Sequence, residues 1–594
     1  MVLPSALRWP DDGEPGHHGL HVGSTIFGPR GGPLNQGDAM QTIDELIRRR
    51  AGDDSVGLLW SDRTWTHRQV VTAQAERAAA LASLRRPGPF HVALLLDNVP
   101  EYVFWMGAAA LAGAVLVGGN PTHRGDELAR DLSHTDCQLL VTNLEYRALV
   151  EGYDLGAALP AERILVIDDP SGDLDHHADT SYGALLAEVA GVALPDPAAT
   201  MVTEESLGLL LFTSGTSGAP KACLCSQGRL ARIGGIVAQM FELTSDDVCY
   251  VAMPLFHSNA LMAGWSPALN AGATVALRER FSASQFLIDV RRYGVTYFNY
   301  VGKPLSYILA TPELPDDADN TLRRAFGNEA AEADVARFAE RFGCTVQDAY
   351  GSTEGGASVQ RTPDTPRGAL GRALPGTLII NPETGEECPR AVFDQDGRLL
   401  NAEEAIGEMV NQSGGAGFEG YWRNAEADSA RVRNGWYWTG DLAYRDHDDF
   451  FYFGGRDFDW LRVDGENFSA APVEGVLQRH PDVVLASVYA VPDTVVGDQV
   501  MATLLLRPGS TFDPEEFAGF LSGQSDMGTK WSPRYVRITD ELPVTATTKV
   551  LKRVLRNEGW RSPDPVWWRP QKDAPYRLLT DADADDLDRA IAGR

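Results

Sequence analysis

From about Thr42 onward, short continuously apolar runs alternate with longer stretches whose apolar positions recur at helical spacing. His91–Asp97, Cys137–Asn143, Leu207–Phe212, Val248–Pro254, Ala273–Arg278 and Thr296–Val301 read as strands, and Glu101–Ala114 and Ser282–Tyr293 as helices between them. Strands that are apolar throughout are buried on both faces, so the alternation predicts parallel sheets covered by helices on either side. After about residue 360 glycines and short strands dominate as far as 454, the texture of a β-rich subdomain. A smaller α/β unit then begins, with strands at Val483–Val491, Val500–Leu506 and Tyr535–Ile538 and a helix at Asp513–Ser522. The predicted fold class is α/β: a large N-terminal domain of two α/β subdomains plus a β-rich subdomain, then a small C-terminal α/β domain. Residues 1–38 read as a poorly ordered extension, 39–457 as the large domain and 458–594 as the small one, divided near Asp457–Phe458. The Asp/Ala/Pro-rich stretch 170–205 reads as a surface excursion.

Composition narrows the function classes. A chain of 594 residues, 44% of them apolar, can bury a large core in several domains. The formal net charge of −30 argues against a nucleic-acid or anionic-membrane surface, which needs basic patches. Phe104–Gly119, the most apolar stretch, is shorter than the roughly 20 residues that span a bilayer and reads as a buried helix followed by a strand. The first thirty-odd residues show no apolar leader, so a soluble, cytoplasmic protein without a transmembrane segment is expected. The six cysteines include no CxxC spacing and read as buried, reduced thiols, with Cys223 and Cys225 on one face of a strand. The pairs His17-His18 and His176-His177 fall in Asp/Gly/Pro-rich segments and read as loop residues, with no metal set around them.

The most informative segment is Thr213-Ser214-Gly215-Thr216-Ser217-Gly218-Ala219-Pro220-Lys221, directly after the Leu207–Phe212 strand. Glycines let backbone N–H groups approach an anion, hydroxyls donate, and a lysine adds charge, so this loop suits polyphosphate. It is not a Walker A loop, because Pro220 stands where the second glycine is required. The bland alternative is a Ser/Gly turn between strands.

Further segments follow in order: Pro254-Leu-Phe-His257-Ser-Asn-Ala260, Tyr350-Gly351-Ser352-Thr353-Glu354, Trp438-Thr439-Gly440-Asp441, Gly455-Arg456, Val463-Asp464-Gly465-Glu466-Asn467, and Leu542-Pro543-Val-Thr545-Ala-Thr547-Thr548-Lys549-Val-Leu-Lys552. This ordered set resembles the acyl-adenylate-forming superfamily over roughly residues 42 to 560. Asn299–Tyr307 and Phe326-Gly327-Asn328-Glu329 are similar to the fatty-acid–CoA ligase and fatty-acid transport protein branch. The resemblance implies that a carboxylic acid reacts with ATP to give acyl-AMP, and that coenzyme A then displaces AMP. The small C-terminal domain would be mobile, rotating between the two half-reactions.

The resemblance also implies residue roles. Thr213, Ser214, Gly215, Thr216 and Lys221 would hold the β/γ-phosphates, Thr353 the α-phosphate and Glu354 Mg²⁺. Asp441 would accept the ribose hydroxyls with Arg456 beside it. Gly327, Asn328, Tyr350 and Gly351 would complete the nucleotide site. Lys549, at the start of a basic helix Lys549–Arg556, would bridge carboxylate and α-phosphate. His257 would gate the path to the CoA tunnel, and Gly465 would let pantetheine pass. Taken one at a time, Glu354 is equally a helix N-terminal carboxylate, Asp441 a turn aspartate, Arg456 and Lys549 surface cations and His257 a satisfied buried histidine. Four departures stand out: Phe458 at the expected hinge, Thr548 for a glycine before the lysine, Gln227 for a histidine, and Ala330 near a glycine facing the adenylate. An alanine there is disfavoured if the backbone is left-handed.

The leading reading is an acid–thiol ligase making acyl-CoA from a medium- or long-chain or bulky hydrophobic acid, since Ala263-Gly264 leave space in a pocket lined by Ala260–Ala268, Asn299–Tyr307, Ala330 and Gly355-Gly356. The alternatives are an enzyme confined to thioesterification of a preformed acyl-adenylate, a ligase loading a carrier protein, and a non-catalytic binding protein of the same fold.

Overall fold

The computed structural model describes residues 41–169, 171, 181–213, 221–395, 399–413, 417–456, 460–463, 466–493, 497–524, 527–528, 530–545, 548–571 and 574–592. The extension 1–38, both histidine pairs, Ser214, Gly215 and Thr216, the Asp457–Phe458 boundary and Gly465 lie outside the described residues.

Two largely parallel sheets build the large region. Strands β1 (Val56–Trp60) and β2 (Arg63–Thr66) begin one of them. Strands β3 (His91–Leu95), β4 (Val115–Gly118), β5 (Cys137–Asn143), β6 (Ile164–Ile167), β7 (Leu207–Thr213) and β8 (Lys221–Ser226) form the other, in the order β6-β5-β3-β4-β7-β8. The first sheet is completed by β9 (Val248–Val251), β10 (Thr274–Leu277), β11 (Tyr297–Val301), β12 (Arg324–Asn328), β13 (Thr345–Gly351), β14 (Ser358–Gln360) and β15 (Arg372–Ala373). Its order is β15-β14-β13-β12-β11-β9-β10-β1-β2. Neighbours from β1 through β13 run parallel, apart from the β1–β2 hairpin. This is the doubly covered arrangement that continuous apolar runs require.

The helix Pro100–Ala112 shows how sequence sets these layers. Pro100 starts it without losing a needed N–H, and Gly113, at φ 65°, ends it in a left-handed cap that an alanine would strain. Its buried Glu101 accepts from Arg77 Nε at 2.8 Å and from the Tyr182 hydroxyl at 2.6 Å. Tyr182 is itself fully buried and accepts from Trp105 Nε1. The 170–205 stretch is therefore not wholly a surface excursion: the helix Ser181–Glu188 is pinned to the core through Tyr182.

The β-rich part is a five-stranded antiparallel sheet of β16 (Thr377–Ile380), β17 (Gly407–Asn411), β18 (Val432–Arg433), β19 (Trp436–Arg445) and β20 (Phe451–Arg456). The C-terminal α/β part holds β21 (Trp460–Val463), β22 (Glu466–Ser469), β23 (Val483–Asp493), β24 (Gly497–Leu506), β25 (Tyr535–Thr539), β26 (Val566–Trp568) and β27 (Arg577–Leu578). Its core packs Val488, Val500, Ala502, Leu504 and Val536 against Phe517 and Leu521 of the helix Pro514–Ser522. The expected helix Lys549–Arg556 begins instead at Lys552, and Val544 and Val550 form a bridge.

Candidate active site

The carboxyl ends of β12 and β13, the usual place for ligands on parallel sheets, carry Gly327, Asn328, Tyr350 and Gly351, with Thr353 and Glu354 just beyond. At the end of β12, a Cβ on Gly327 would stand 2.3 Å from the Tyr300 carbonyl oxygen, so only glycine fits between the strands. Asn328 Nδ2 donates to the Ala349 carbonyl at 2.5 Å. β13 ends in Tyr350 and Gly351, and the hydroxyl of the partly buried Tyr350 donates to Asp441 Oδ2 at 2.5 Å. Burial and the Asp441 charge hold the Tyr350 phenol well above its ordinary pKa, so it remains a donor. Asp441 is buried inside β19, directly across from Arg456 of β20. The Trp438–Asp441 motif is thus strand rather than the expected turn, and only Gly440, at φ 72°, is left-handed within it.

Glu354 lies in a turn after β13, not at a helix N-terminus. Its buried carboxylate accepts from the Tyr421 hydroxyl at 2.8 Å. Arg431 donates through Nε to the Tyr421 oxygen at 3.2 Å and through Nη1 to the Trp438 and Thr439 carbonyls, with Nη2 4.0 Å from Glu354. Lys221 pairs with Thr213 across the β7–β8 hairpin, so the phosphate-loop segment connects two antiparallel strands. Partial burial lowers the Lys221 pKa; Arg431 lowers it further while Glu354 opposes. Thr353 Oγ1 is 2.8 Å from Ser258 Oγ, and its carbonyl accepts from Arg229 Nη2 at 2.5 Å and faces the Cys223 thiol at 3.8 Å. Tyr421 and Arg431 belong to no motif in the sequence, and Ser258 lies within the Pro254–Ala260 segment without a role having been assigned to it.

His257 is partly buried, and one of its ring nitrogens is not satisfied. Its Nε2 is enclosed and has no hydrogen-bond partner among the described residues. Burial, with Lys549 and His123 adding to it, depresses the imidazole pKa to about 3. A buried polar atom without a protein partner calls for an explanation, and a bound group or water is one. Nearby, Ala260–Trp265 is a π-helical turn, a form enriched at functional sites. The small residue Gly264 does not open a cavity as its size implies: a Cβ there would lie 2.6 Å from Asn299 Oδ1.

Lys549 arrives from the C-terminal part, its Nζ 2.6 Å from Glu329 Oε1. The preceding Thr548 has φ 59°, the conformation for which a glycine is usual, and its hydroxyl donates to the Val301 carbonyl and accepts from Lys303 N–H, each at 3.2 Å. On the facing loop the left-handed residue is Glu329, φ 69°, and not Ala330. Ala330 N–H donates to Asp348 Oδ2 at 3.1 Å, as does the Tyr300 hydroxyl at 2.9 Å. Gln227, another departure, is structural: it accepts from Asp44 N–H and donates to the Ala110 carbonyl.

A family profile for the AMP-binding enzyme matches residues 47–422, and one for the AMP-binding enzyme C-terminal domain matches 472–549. The chain belongs to the AMP-binding enzyme family. Among AMP-binding enzymes it falls in the acyl-CoA ligase branch. It is 50% identical to a steroid-22-oyl-CoA synthetase of Rhodococcus jostii over 92% of this chain and 97% of that protein. It is 47% identical to the medium/long-chain-fatty-acid–CoA ligase FadD17 of Mycobacterium tuberculosis, over 89% of this chain and 98% of that one. Among solved AMP-binding folds, ATP-bound MatB from Rhodopseudomonas palustris superposes with a TM-score of 0.71 at 24% identity, covering 87% of this chain and 99% of that one. Among the described residues no helix is long and apolar enough to cross a membrane, and no group of three or more His, Cys, Asp or Glu residues is arranged to hold a metal.

Proposed function

We propose that this AMP-binding enzyme is an acyl-CoA ligase that activates a medium- or long-chain or bulky hydrophobic carboxylic acid in two steps. In the first, a carboxylate oxygen bonds to the α-phosphorus of ATP and pyrophosphate leaves with the broken P–O bond. In the second, the CoA sulfur bonds to the acyl carbon and AMP leaves. The observation that carries this reading is that Lys549, from the C-terminal part, reaches Glu329 just past the end of β12, the strand paired with β13, which leads into Tyr350, Thr353 and Glu354. Such a site can place a cation beside the acid and the phosphate, where positioning and charge stabilisation do most of the work.

In this reading Asp441, fixed by Tyr350, takes the ribose hydroxyls, with Arg456 opposite. Thr353, Lys221 and the Thr213–Lys221 loop, including Ser214, Gly215 and Thr216, take phosphates. Gly327, Asn328 and Gly351 shape the nucleotide wall. Glu354 fits Mg²⁺, because Mg²⁺ in phosphate sites is held by one or two carboxylates while phosphate oxygens and water complete its shell. The ion would neutralise phosphate charge; Tyr421 and Arg431 orient the carboxylate that meets it. His257 stays neutral and presents an unpaired nitrogen toward the acyl side, and Gly465 serves the pantetheine path. The relatives named for a steroid acid and for medium/long-chain fatty acids support a hydrophobic acid. Packing of Gly264 against Asn299 means that substrate size rests on those relatives rather than on small residues. A cytoplasmic site of action accords with the free, mostly buried cysteines.

The geometry favours the complete two-step enzyme over one confined to thioesterification. Gln227 serves the core, Ala330 is not left-handed, and the Thr548 hydroxyl anchors the strained loop. The test is mass spectrometry of thioesters formed from a panel of fatty and steroid side-chain acids with ATP, Mg²⁺ and CoA, alongside pyrophosphate release. Thioester and pyrophosphate in equal amounts are expected. Thioester only from supplied acyl-AMP would select the one-step alternative, and neither product the binding protein.

A further inference from the structure

The geometry points to Glu329 and the Thr548 hydroxyl as a two-point latch that holds the Lys549 loop of the C-terminal part on the large domain during adenylation. The inference rests on the two-step reading above and adds two positioning residues to it.

An exposed ion pair ordinarily contributes little, because two long side chains must be ordered and solvent screens them. Lys549 and Glu329 retain 37% and 44% side-chain exposure, so that objection applies here. What distinguishes this pair is the backbone beneath each partner. Glu329 stands at φ 69°, and the next residue is tied down, Ala330 N–H being held by Asp348, a carboxylate also gripped by Tyr300. Lys549 follows Thr548 at φ 59°, whose hydroxyl clamps both the Val301 carbonyl and Lys303 N–H at the end of β11. Within its own loop, Lys549 N–H donates to Thr545 Oγ1 and its carbonyl accepts from Thr545 N–H. The Glu329 side chain leaves from a left-handed residue and the Lys549 side chain from the residue after one, each on backbone tied down by neighbouring hydrogen bonds, so the pair orders side chains but little backbone.

Two contacts thus join the parts at one spot, one ionic and one made by a hydroxyl that glycine at position 548 would lack. A latch of this kind stabilises the arrangement that presents Lys549. It has no role once the C-terminal part has turned away for thioester formation, so its loss should separate the two half-reactions.

The experiment uses the full chain and the variants Glu329→Gln, Glu329→Asp and Thr548→Ala, read by three measurements. ATP–pyrophosphate exchange with the best acid should fall about two- to fivefold in Glu329→Gln and about three- to tenfold in Thr548→Ala, while thioester formation from supplied acyl-AMP stays within about twofold. Exchange by the unmodified enzyme should weaken as ionic strength rises, exchange by Glu329→Gln should not, and Glu329→Asp should recover part of both rate and salt dependence. Acetylation of Lys549 by acetic anhydride, followed by peptide mass spectrometry in the absence of substrates, should be faster in Glu329→Gln and Thr548→Ala. Equal loss of both half-reactions, or unchanged Lys549 acetylation in both variants, overturns the latch. Because acetylation needs no turnover, it decides the matter even if the unmodified chain makes no adenylate, an outcome that would instead remove the two-step reading.

Discussion

Tyr350 donates its hydroxyl to Asp441 Oδ2 at 2.5 Å, joining the end of a parallel strand to the middle of an antiparallel one. The bond orients a buried carboxylate, which in the proposed role would meet the ribose already fixed. Asp441→Ala should weaken binding of a non-hydrolysable acyl-AMP analogue by about ten- to several-hundredfold, since charge-assisted bonds are worth about 1.5–3 kcal/mol each. Tyr350→Phe should cost about three- to tenfold, because the carboxylate remains but is no longer fixed. Calorimetry on the two variants checks the order, and equal losses would show that Tyr350 itself contacts the ligand.

The His257 imidazole is held at a pKa of about 3 by burial, so it binds fewer protons in the native state than in the unfolded chain between about pH 3 and 6.5. Its contribution to stability is therefore lost as pH falls below 6.5 and is constant above it. Imidazole nitrogen shifts from pH 8 to 5 should show a neutral ring throughout. His257→Phe removes the unpaired Nε2 while keeping an apolar ring; it should leave the melting temperature unchanged or higher, yet slow thioester formation. A lower melting temperature with full activity would return His257 to the core.

Asp348 behaves oppositely. Burial raises its pKa to about 7, Glu329 adding to the rise while Ala330 N–H, the Tyr300 hydroxyl and Arg361 resist it. The native state then holds its proton more tightly than the unfolded chain, so stability falls as pH rises from about 4 to 7. Asp348→Asn, which mimics the protonated acid, should flatten that part of the curve. Denaturant midpoints of both proteins at pH 5 and 8 should converge at pH 5 and separate at pH 8, with the variant higher.

Tyr421→Phe leaves Glu354 buried without its hydroxyl donor. The concentration of Mg²⁺ giving half-maximal ATP–pyrophosphate exchange should rise about three- to tenfold, and chelation should abolish exchange in both proteins. An unchanged Mg²⁺ requirement would detach Glu354 from the metal.

Much of this architecture can be read from the chain because strand burial leaves a local trace. Cys137–Asn143 is apolar enough to be delimited at both ends, and Asp513 marks a helix start by capping Glu515 and Glu516 N–H. The motif order similarly points to Glu354, Asp441 and Lys549 as the proposed site. Their supports do not appear, because they come from distant segments with ordinary local sequence. Tyr421 reaches Glu354 across 67 positions, and Thr548 reaches Val301 across 247. Backbone conformation is the other gap. The left-handed residue is Glu329, one position before the expected Ala330, because Ala330 N–H is directed to Asp348, and nothing in the residue types shows that bond.

The thiol of Cys223 faces the backbone carbonyl of Thr353, the residue proposed to meet the phosphate of the acyl-adenylate. Acyl phosphates react readily with thiolates, and a thiolate is the reactive form of cysteine. Burial pushes the Cys223 thiol, and its neighbour Cys225, up to about 12. Each therefore stays protonated at neutral pH and out of competition with coenzyme A. In the proposed reaction the mixed anhydride would then form near a resident sulfur kept protonated chiefly by its burial, with Glu354 adding and Arg229 opposing, and coenzyme A would meet no competing thiolate there.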